Sequence, residues 1–208
     1  MDISFNSSLI LLVLLTGLTA CSSPPQLTPL SNNAVILAFG DSLTYGTGAD
    51  KQQSYPDHLQ KILSKTVINA GVPGEISKTG VTRLDKLLKL HRPELLILCH
   101  GGNDILNHSN LEQTKDNLQK MINLAKANNT QVMLVGVPDF GIFLSSAPFY
   151  KELAESNQIP LENTVLSNIL TDIRLKSDQI HPNAEGYVVF ANRIYTLLQQ
   201  TGAISNTI

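Results

Sequence analysis

Two rhythms of apolar and polar positions follow one another along this chain from residue 34 onward. Ala34–Phe39 (AVILAF) is an unbroken apolar run, as in a strand covered on both faces. Tyr55, Leu59, Ile62 and Leu63 then fall at helical spacing, and a short strand is expected over Thr66–Ala70. Val81, Leu84, Leu87, Leu88 and His91 define a second helical face, closed by Pro93. Glu94–Cys99 (ELLILC) predicts another buried strand. Ser109-Asn110-Leu111-Glu112 has the form of a capping box. The helix it predicts carries Leu118, Met121, Ile122 and Ala125 on one face and ends near Asn128-Asn129. Gln131–Val137 reads as a strand, and a last helix begins after Pro182-Asn183 with Tyr187, Phe190, Ala191, Ile194 and Leu198 facing inward. Residues 138–175 are less periodic; they suggest a helix over 147–157 and a short strand near 163–167.

Strands alternating with helices imply a parallel sheet between helical layers, in one α/β domain without internal repeats. Such sheets gather ligands at the carboxyl ends of their strands. The polar segments placed there are Gly40-Asp41-Ser42-Leu43, Gly71-Val72-Pro73-Gly74 and His100-Gly101-Gly102-Asn103-Asp104. Asp178-Gln179-Ile180-His181-Pro182 leads into the last helix.

Composition narrows the class without naming a chemistry. With 208 residues, 42% hydrophobic and 15% charged, the chain is globular over most of its length. The net charge of −2, without a basic stripe or acidic tail, argues against nucleic acid as a partner. Cys21 and Cys99 are too few for a disulfide framework.

The amino terminus has its own pattern. Residues 9–15 (LILLVLL) open an apolar run of signal-peptide length, too short to span a bilayer of about 30 Å. Leu18-Thr19-Ala20-Cys21 resembles a bacterial lipobox, although Asp2 and the lack of Lys or Arg before the run depart from the usual basic start. The resemblance implies a signal peptide over residues 1–20 and a lipid on Cys21. Residues 21–33, rich in Ser, Pro and Asn, then read as a flexible tether of roughly 40 Å, ahead of a domain over 34–208. The expected location is the cell envelope, on the periplasmic face of the outer membrane, with a lipid anchor in that membrane.

A serine hydrolase needs a nucleophile, a base, a group that orients the base, and donors facing the developing oxyanion. Ser42 lies just past a buried strand, where its backbone N–H would be free at a helix start. His181 is the natural base, and Asp178, three residues earlier, can reach one ring nitrogen. Asn103 offers a side-chain amide and Gly74 an uncrowded backbone N–H. The G-D-S-L-T surround of Ser42 differs from the G-x-S-x-G elbow of α/β-hydrolases.

Four blocks, G40-D41-S42-L43-T44-Y45-G46, N69-A70-G71-V72-P73-G74-E75-I76-S77, G101-G102-N103-D104 and D178-Q179-I180-H181-P182-N183, resemble in order those of the SGNH (GDSL-type) hydrolases. Among these the chain is similar to the thioesterase I/lysophospholipase/arylesterase group. The resemblance implies a three-layer α/β/α sandwich with a central parallel, flavodoxin-like sheet. It also implies Ser42 as nucleophile, His181 as base and Asp178 as orienter, with an oxyanion hole from Ser42, Gly74 and Asn103. Gly74 is preferred to Gly71 because it precedes the acidic residue of G-E-I-S, while Gln179 stands where these enzymes commonly carry Gly. The implied reaction is hydrolysis of aryl esters, acyl thioesters or lysophospholipids through an acyl-enzyme, by a monomer without cofactor or metal. Alternatives are removal of O-acetyl groups from a glycan, and a non-catalytic lipoprotein that binds lipid or glycan.

Other residues have plainer readings. Alone, Ser42 would be a helix cap. Asp41 is expected to hold its own loop through backbone N–H groups, and Asp104 to do similar work beside Asn103. Cys99 reads as a small core residue, with His100 on the opposite strand face. His58, His91 and His108 lack metal-ligand spacing, and Gly46-Thr47-Gly48 reads as loop flexibility. Phe140, Phe143, Phe149 and Tyr150 either line an acyl groove or belong to the core.

Overall fold

The computed structural model describes residues 25–139 and 144–205. In chain order its elements are β1 (Val35–Gly40), α1 (Ser42–Tyr45), α2 (Tyr55–Leu63), β2 (Thr66–Gly71), α3 (Ser77–His91), β3 (Leu95–Cys99), α4 (Gly102–Leu106) and α5 (Leu111–Ala127). There follow β4 (Gln131–Val135), β5 (Pro138–Asp139), β6 (Ser145–Ser146), α6 (Pro148–Asn157), β7 (Leu161–Glu162), α7 (Val165–Thr171) and α8 (Ala184–Gln200). Five strands form a parallel sheet in the order β2-β1-β3-β4-β7, with helices on both faces. The short β5 and β6 make a separate antiparallel pair. Because β1 lies between β2 and β3, the chain leaves it in both directions, and a crevice opens at that switch point.

Register brings three loops to one level. Gly40 at the end of β1 pairs with Gly71 of β2 on one side and Cys99 of β3 on the other. β3 is buried at every position and β1 at all but its first, which is why both read as unbroken apolar runs. Tyr55 and Phe190, with ring centroids 4.3 Å apart, join α2 to α8 on one face of the sheet. On the other face α3 packs against α5.

Three local expectations are corrected. The helix expected after Ser109 is capped by Asn110, whose side-chain oxygen accepts from the N–H groups of Glu112 and Gln113 at 3.0 and 3.3 Å. Asn caps as well as Ser, so the start slides by one residue. The capping box that does form is Ser54 with Asp57, at the start of α2. The strand expected near 163–167 is instead the beginning of α7. Glu162 ends the real strand, β7, and its Oε1 accepts from the N–H groups of Thr164 and Val165 at 2.9 Å. Val165, Leu166, Ile169 and Leu170 then bury one helical face.

The described part of the segment read as a tether is held against the domain. Leu27 and Leu30 are each 9% exposed, and their N–H groups donate to Thr201 and Ala203 carbonyls at 2.8 Å. The Thr28 carbonyl accepts from Gln131 Nε2 at 3.0 Å, and the Ser31 N–H donates to Glu94 at 2.9 Å. Gln131 begins β4 and Glu94 precedes β3, so this strap crosses the amino-terminal edge of the sheet. Cys21, and with it the lipidation reading, lies outside the described residues. Among the described residues no helix is long and apolar enough to cross a membrane.

Candidate active site

Ser42 is the first residue of α1, so its N–H has no acceptor within the helix. Asp41 caps that helix, its Oδ1 accepting from the Leu43 N–H at 3.1 Å. His181 and Asp178 come from the loop before α8. Asp178 Oδ1 accepts from the N–H groups of Ile180 and His181, both at 2.8 Å, and so folds the loop around the carboxylate. Asp178 Oδ2 lies 2.8 Å from His181 Nδ1, and His181 Nε2 lies 3.0 Å from Ser42 Oγ. Three side chains separated by up to 139 positions therefore form one hydrogen-bonded line.

Two loops must be pressed together for that line to close. Gly48, at φ +98°, sits where a Cβ would come within 2.2 Å of Ser177 Oγ and 2.4 Å of the Pro182 carbonyl. The Tyr187 hydroxyl donates to the Thr47 carbonyl at 2.8 Å. Gly46-Thr47-Gly48, read from sequence as flexibility, thus packs against the loop that carries Asp178 and His181 and against α8. A side chain at Gly48 would force the segments around Ser177 and Pro182 to shift.

Electrostatics favour one protonation pattern. Burial alone would raise the Asp178 carboxyl. Hydrogen bonds from the His181 ring and from the Ile180 and His181 N–H groups outweigh that and hold it below the usual carboxylate range. The side chain of His181 is 13% exposed while that of Asp178 is 52% exposed, so the orienting carboxylate remains wet.

Gly74 and Asn103 follow the ends of β2 and β3, and of the two only Asn103 lines the pocket at Ser42. Gly74 adopts φ +77°, a conformation that strains any residue with a Cβ, and nothing lies within 4 Å of where a Cβ would be. Asn103 stands on α4 and donates one amide hydrogen to the Glu75 carbonyl at 3.0 Å. Its second amide hydrogen remains available. Ser42, Asn103 and His181 line one small, open pocket, walled on its apolar side by Leu106, Val137 and Ile180.

Similarity to known proteins gives the family. The family model for GDSL-like lipases/acylhydrolases matches residues 38–189. The chain belongs to the GDSL-like lipase/acylhydrolase family. It is 31% identical to an arylesterase of Vibrio mimicus over 161 residues, covering 72% of this chain and 80% of the relative. It is also 31% identical, over 172 residues, to the thioesterase 1/protease 1/lysophospholipase L1 of Escherichia coli K12, covering 79% and 83%. The esterase EstA of a Pseudoalteromonas species superposes with a TM-score of 0.73 at 23% identity, over 81% of this chain and 98% of its own, and supports the fold. The chain is accordingly a carboxylic ester hydrolase.

Within this GDSL-like hydrolase the supporting acids divide differently from the sequence reading. Asp41 does hold its own loop. Burial raises its carboxyl, opposed by the neighbouring His100 and by the Leu43 and Gly102 N–H groups. Asp104 instead reaches across to the start of α3, accepting from the Ser77 N–H at 2.8 Å and the Ser77 hydroxyl at 2.7 Å. Cys99 is fully buried, which pushes its thiol well above its ordinary range, as suits a core residue. Phe149 and Tyr150 pack with their rings tilted, centroids 4.3 Å apart, within the core, and Phe140 and Phe143 lie outside the described residues.

The sequence reading overlooked one cluster. Glu75, Arg83 and His100 meet behind Gly74 and Asn103, with His100 fully buried. Burial would raise the Glu75 carboxyl, but hydrogen bonds from His100 and Arg83, and the Arg83 charge, lower it to about 2. The one signal available was a histidine directly before G-G-N-D, with an arginine eight positions after the G-E-I-S glutamate.

Proposed function

We propose that this hydrolase is a serine esterase and thioesterase that works through an acyl-enzyme on Ser42. The observation that carries the reading is the unbroken Asp178–His181–Ser42 line, ending in a cavity shared with Asn103. His181 Nε2 takes the Ser42 hydroxyl proton as Oγ attacks the substrate carbonyl carbon. Asp178 accepts from His181 Nδ1–H, fixing the tautomer and stabilising the imidazolium. The negative carbonyl oxygen is held by the Ser42 N–H, the Gly74 N–H and the free Asn103 amide hydrogen. His181 then protonates the leaving alkoxide or thiolate. In the second half it deprotonates a water that attacks the acyl carbon, and the carboxylic acid leaves with Ser42 restored. Leu106, Val137 and Ile180 offer the acyl group an apolar wall. Aryl esters, acyl thioesters and lysophospholipids are the substrates this reading assigns.

A panel of p-nitrophenyl esters, an acyl-CoA and a lysophospholipid tests it. Hydrolysis that depends on Ser42 is the expected result; no cleavage of any member would favour a binding protein instead. The rate should fall on the acid side along a single-proton limb, because a protonated imidazole cannot accept from Ser42. Asp178 stays charged across that limb, being held below the usual carboxylate range. Asp178→Asn keeps an acceptor for the loop N–H groups but turns an amide toward Nδ1. Its loss of kcat should fall short of the roughly 10⁴-fold known where the aspartate is buried, because this carboxylate is half-exposed. A pH-independent rate between pH 5 and 8 would contradict a histidine base.

The lipobox supports anchoring through Cys21, with the enzyme on the periplasmic face of the outer membrane. The strap shortens the reach expected from sequence. From Cys21 to Leu27 the chain spans at most roughly 20 Å. It joins the amino-terminal edge of the sheet, so the catalytic edge would point away from the anchoring membrane. Several acyl chains, each CH₂ contributing about 0.8 kcal/mol, make such an anchor stable. Cys21→Ser should move the protein to the soluble fraction, and continued sedimentation with membranes would refute the anchor.

A further inference from the structure

Glu75 joins the two oxyanion donors that do not belong to the nucleophile. Its backbone follows Gly74, and its carbonyl accepts from Asn103 Nδ2 at 3.0 Å. Its carboxylate is gripped from two sides. Arg83, on α3, donates from Nε to Oε1 at 2.8 Å and from Nη2 to Oε2. His100, at the end of β3, lies with Nε2 3.0 Å from Oε2. The tautomer follows from the other nitrogen: the Gly101 N–H donates to His100 Nδ1 at 2.9 Å, so Nε2 carries the hydrogen and donates to Glu75.

The clamp is built into the ends of the central strands. Arg83 Nη1 donates to the Ala70 carbonyl at 2.8 Å and Nη2 to the Gly40 carbonyl at 3.1 Å, the ends of β2 and β1. Its guanidinium lies 4.0 Å over the Phe39 ring, which in turn stacks on His100 at 5.6 Å. The Tyr150 hydroxyl donates to the His100 carbonyl at 2.8 Å. Room for the imidazole comes from Gly80, in the interior of α3, where a Cβ would fall 2.6 Å from His100 Nε2. A glycine inside a helix is less favourable than alanine, so the fold gives up helix stability to admit this ring.

We propose that His100 and Arg83 are positioning residues, which hold Glu75 so that the Gly74 N–H and the Asn103 amide stay aimed at the oxyanion. The proposal rests on the acyl-enzyme reading above. The clamp touches no reacting atom; it sets the orientation of groups that do. Displacing such donors even slightly is costly, since misplacement by about 1 Å can lower a rate 10²-fold.

The test is a set of variants assayed with p-nitrophenyl acetate, with active sites titrated and melting temperature measured on the same preparations. His100→Leu should lower kcat per active site by about 10- to 100-fold with KM within about twofold. His100→Gln, whose amide can donate from near the place of Nε2, should recover most of that loss. The acid limb of the pH profile should stay where it is, because Ser42, His181 and Asp178 are untouched. In an Asn103→Ala background His100→Leu should lose less than alone, since one of the two donors it aims is already gone. Should His100→Leu not fold, Glu75→Gln, of the same size, carries the same expectations. Unchanged kcat per active site, or a full additional loss beside Asn103→Ala, would overturn the positioning role. The acyl-enzyme reading fails separately, if Ser42→Ala leaves kcat intact, whereas Asn103→Ala with unchanged kcat would remove the donor that the clamp is said to aim.

Discussion

Ser42→Ala lowers kcat by roughly 10⁵–10⁶ on the proposed mechanism, because the covalent route disappears with the hydroxyl. The same change leaves the fold in place. Among the described residues Ser42 Oγ bonds only His181, and the alanine fits the start of α1 without crowding. Loss of rate with an unchanged melting temperature is therefore the expected pair of results. Activity near the wild-type level would remove Ser42 from the mechanism. A collapse in stability would instead make it a structural residue of the first turn.

Asn103→Ala should cost about 10²–10³ in kcat, or roughly 2.7–4 kcal/mol of transition-state stabilisation, with a smaller change in KM. The amide matters most once the carbonyl oxygen has become negative, which is why the loss falls on turnover. Its other hydrogen braces the Glu75 carbonyl, so some thermal stability should go as well. The two contributions separate when kcat per folded molecule and melting temperature are measured on one preparation. Unchanged kcat with a lower melting temperature would leave Asn103 as a brace. The double variant Ser42→Ala/Asn103→Ala should be little worse than Ser42→Ala, because residues that act as one unit do not add.

The strands and long helices were legible because each carries a single period: β1 and β3 are buried on both faces, and α5 and α8 keep one apolar stripe. The residues of the site were legible for another reason. Ser42, Gly74, Asn103 and His181 belong to short blocks whose residue types the chemistry restricts, and the fold brings three of the four to one cavity. Supporting contacts were not legible, since they join positions far apart that no local pattern links. Arg83 reaches Gly40, 43 positions away, and Tyr150 reaches His100, 50 positions away. Asp104 was misjudged because its partner, Ser77, lies 27 positions back on another helix. The strap was misread because Ser, Pro and Asn suggest a free linker, while its two leucines, buried at the sheet edge, decide otherwise. Around α7, Val165 and Leu166 have the residue types of a strand, and the Glu162 carboxylate that accepts from the Thr164 and Val165 N–H groups at the helix start is not marked by any local pattern.

Covalent capture tests the central claim most directly. Incubation with an aryl dialkyl phosphate should release one aryl oxide per protein and abolish esterase activity. Peptide mass spectrometry should then place a single dialkylphosphoryl group on Ser42, with none on the Ser42→Ala protein. Retained activity after treatment, or the group found on another residue such as Cys99, would contradict an acyl-enzyme on Ser42.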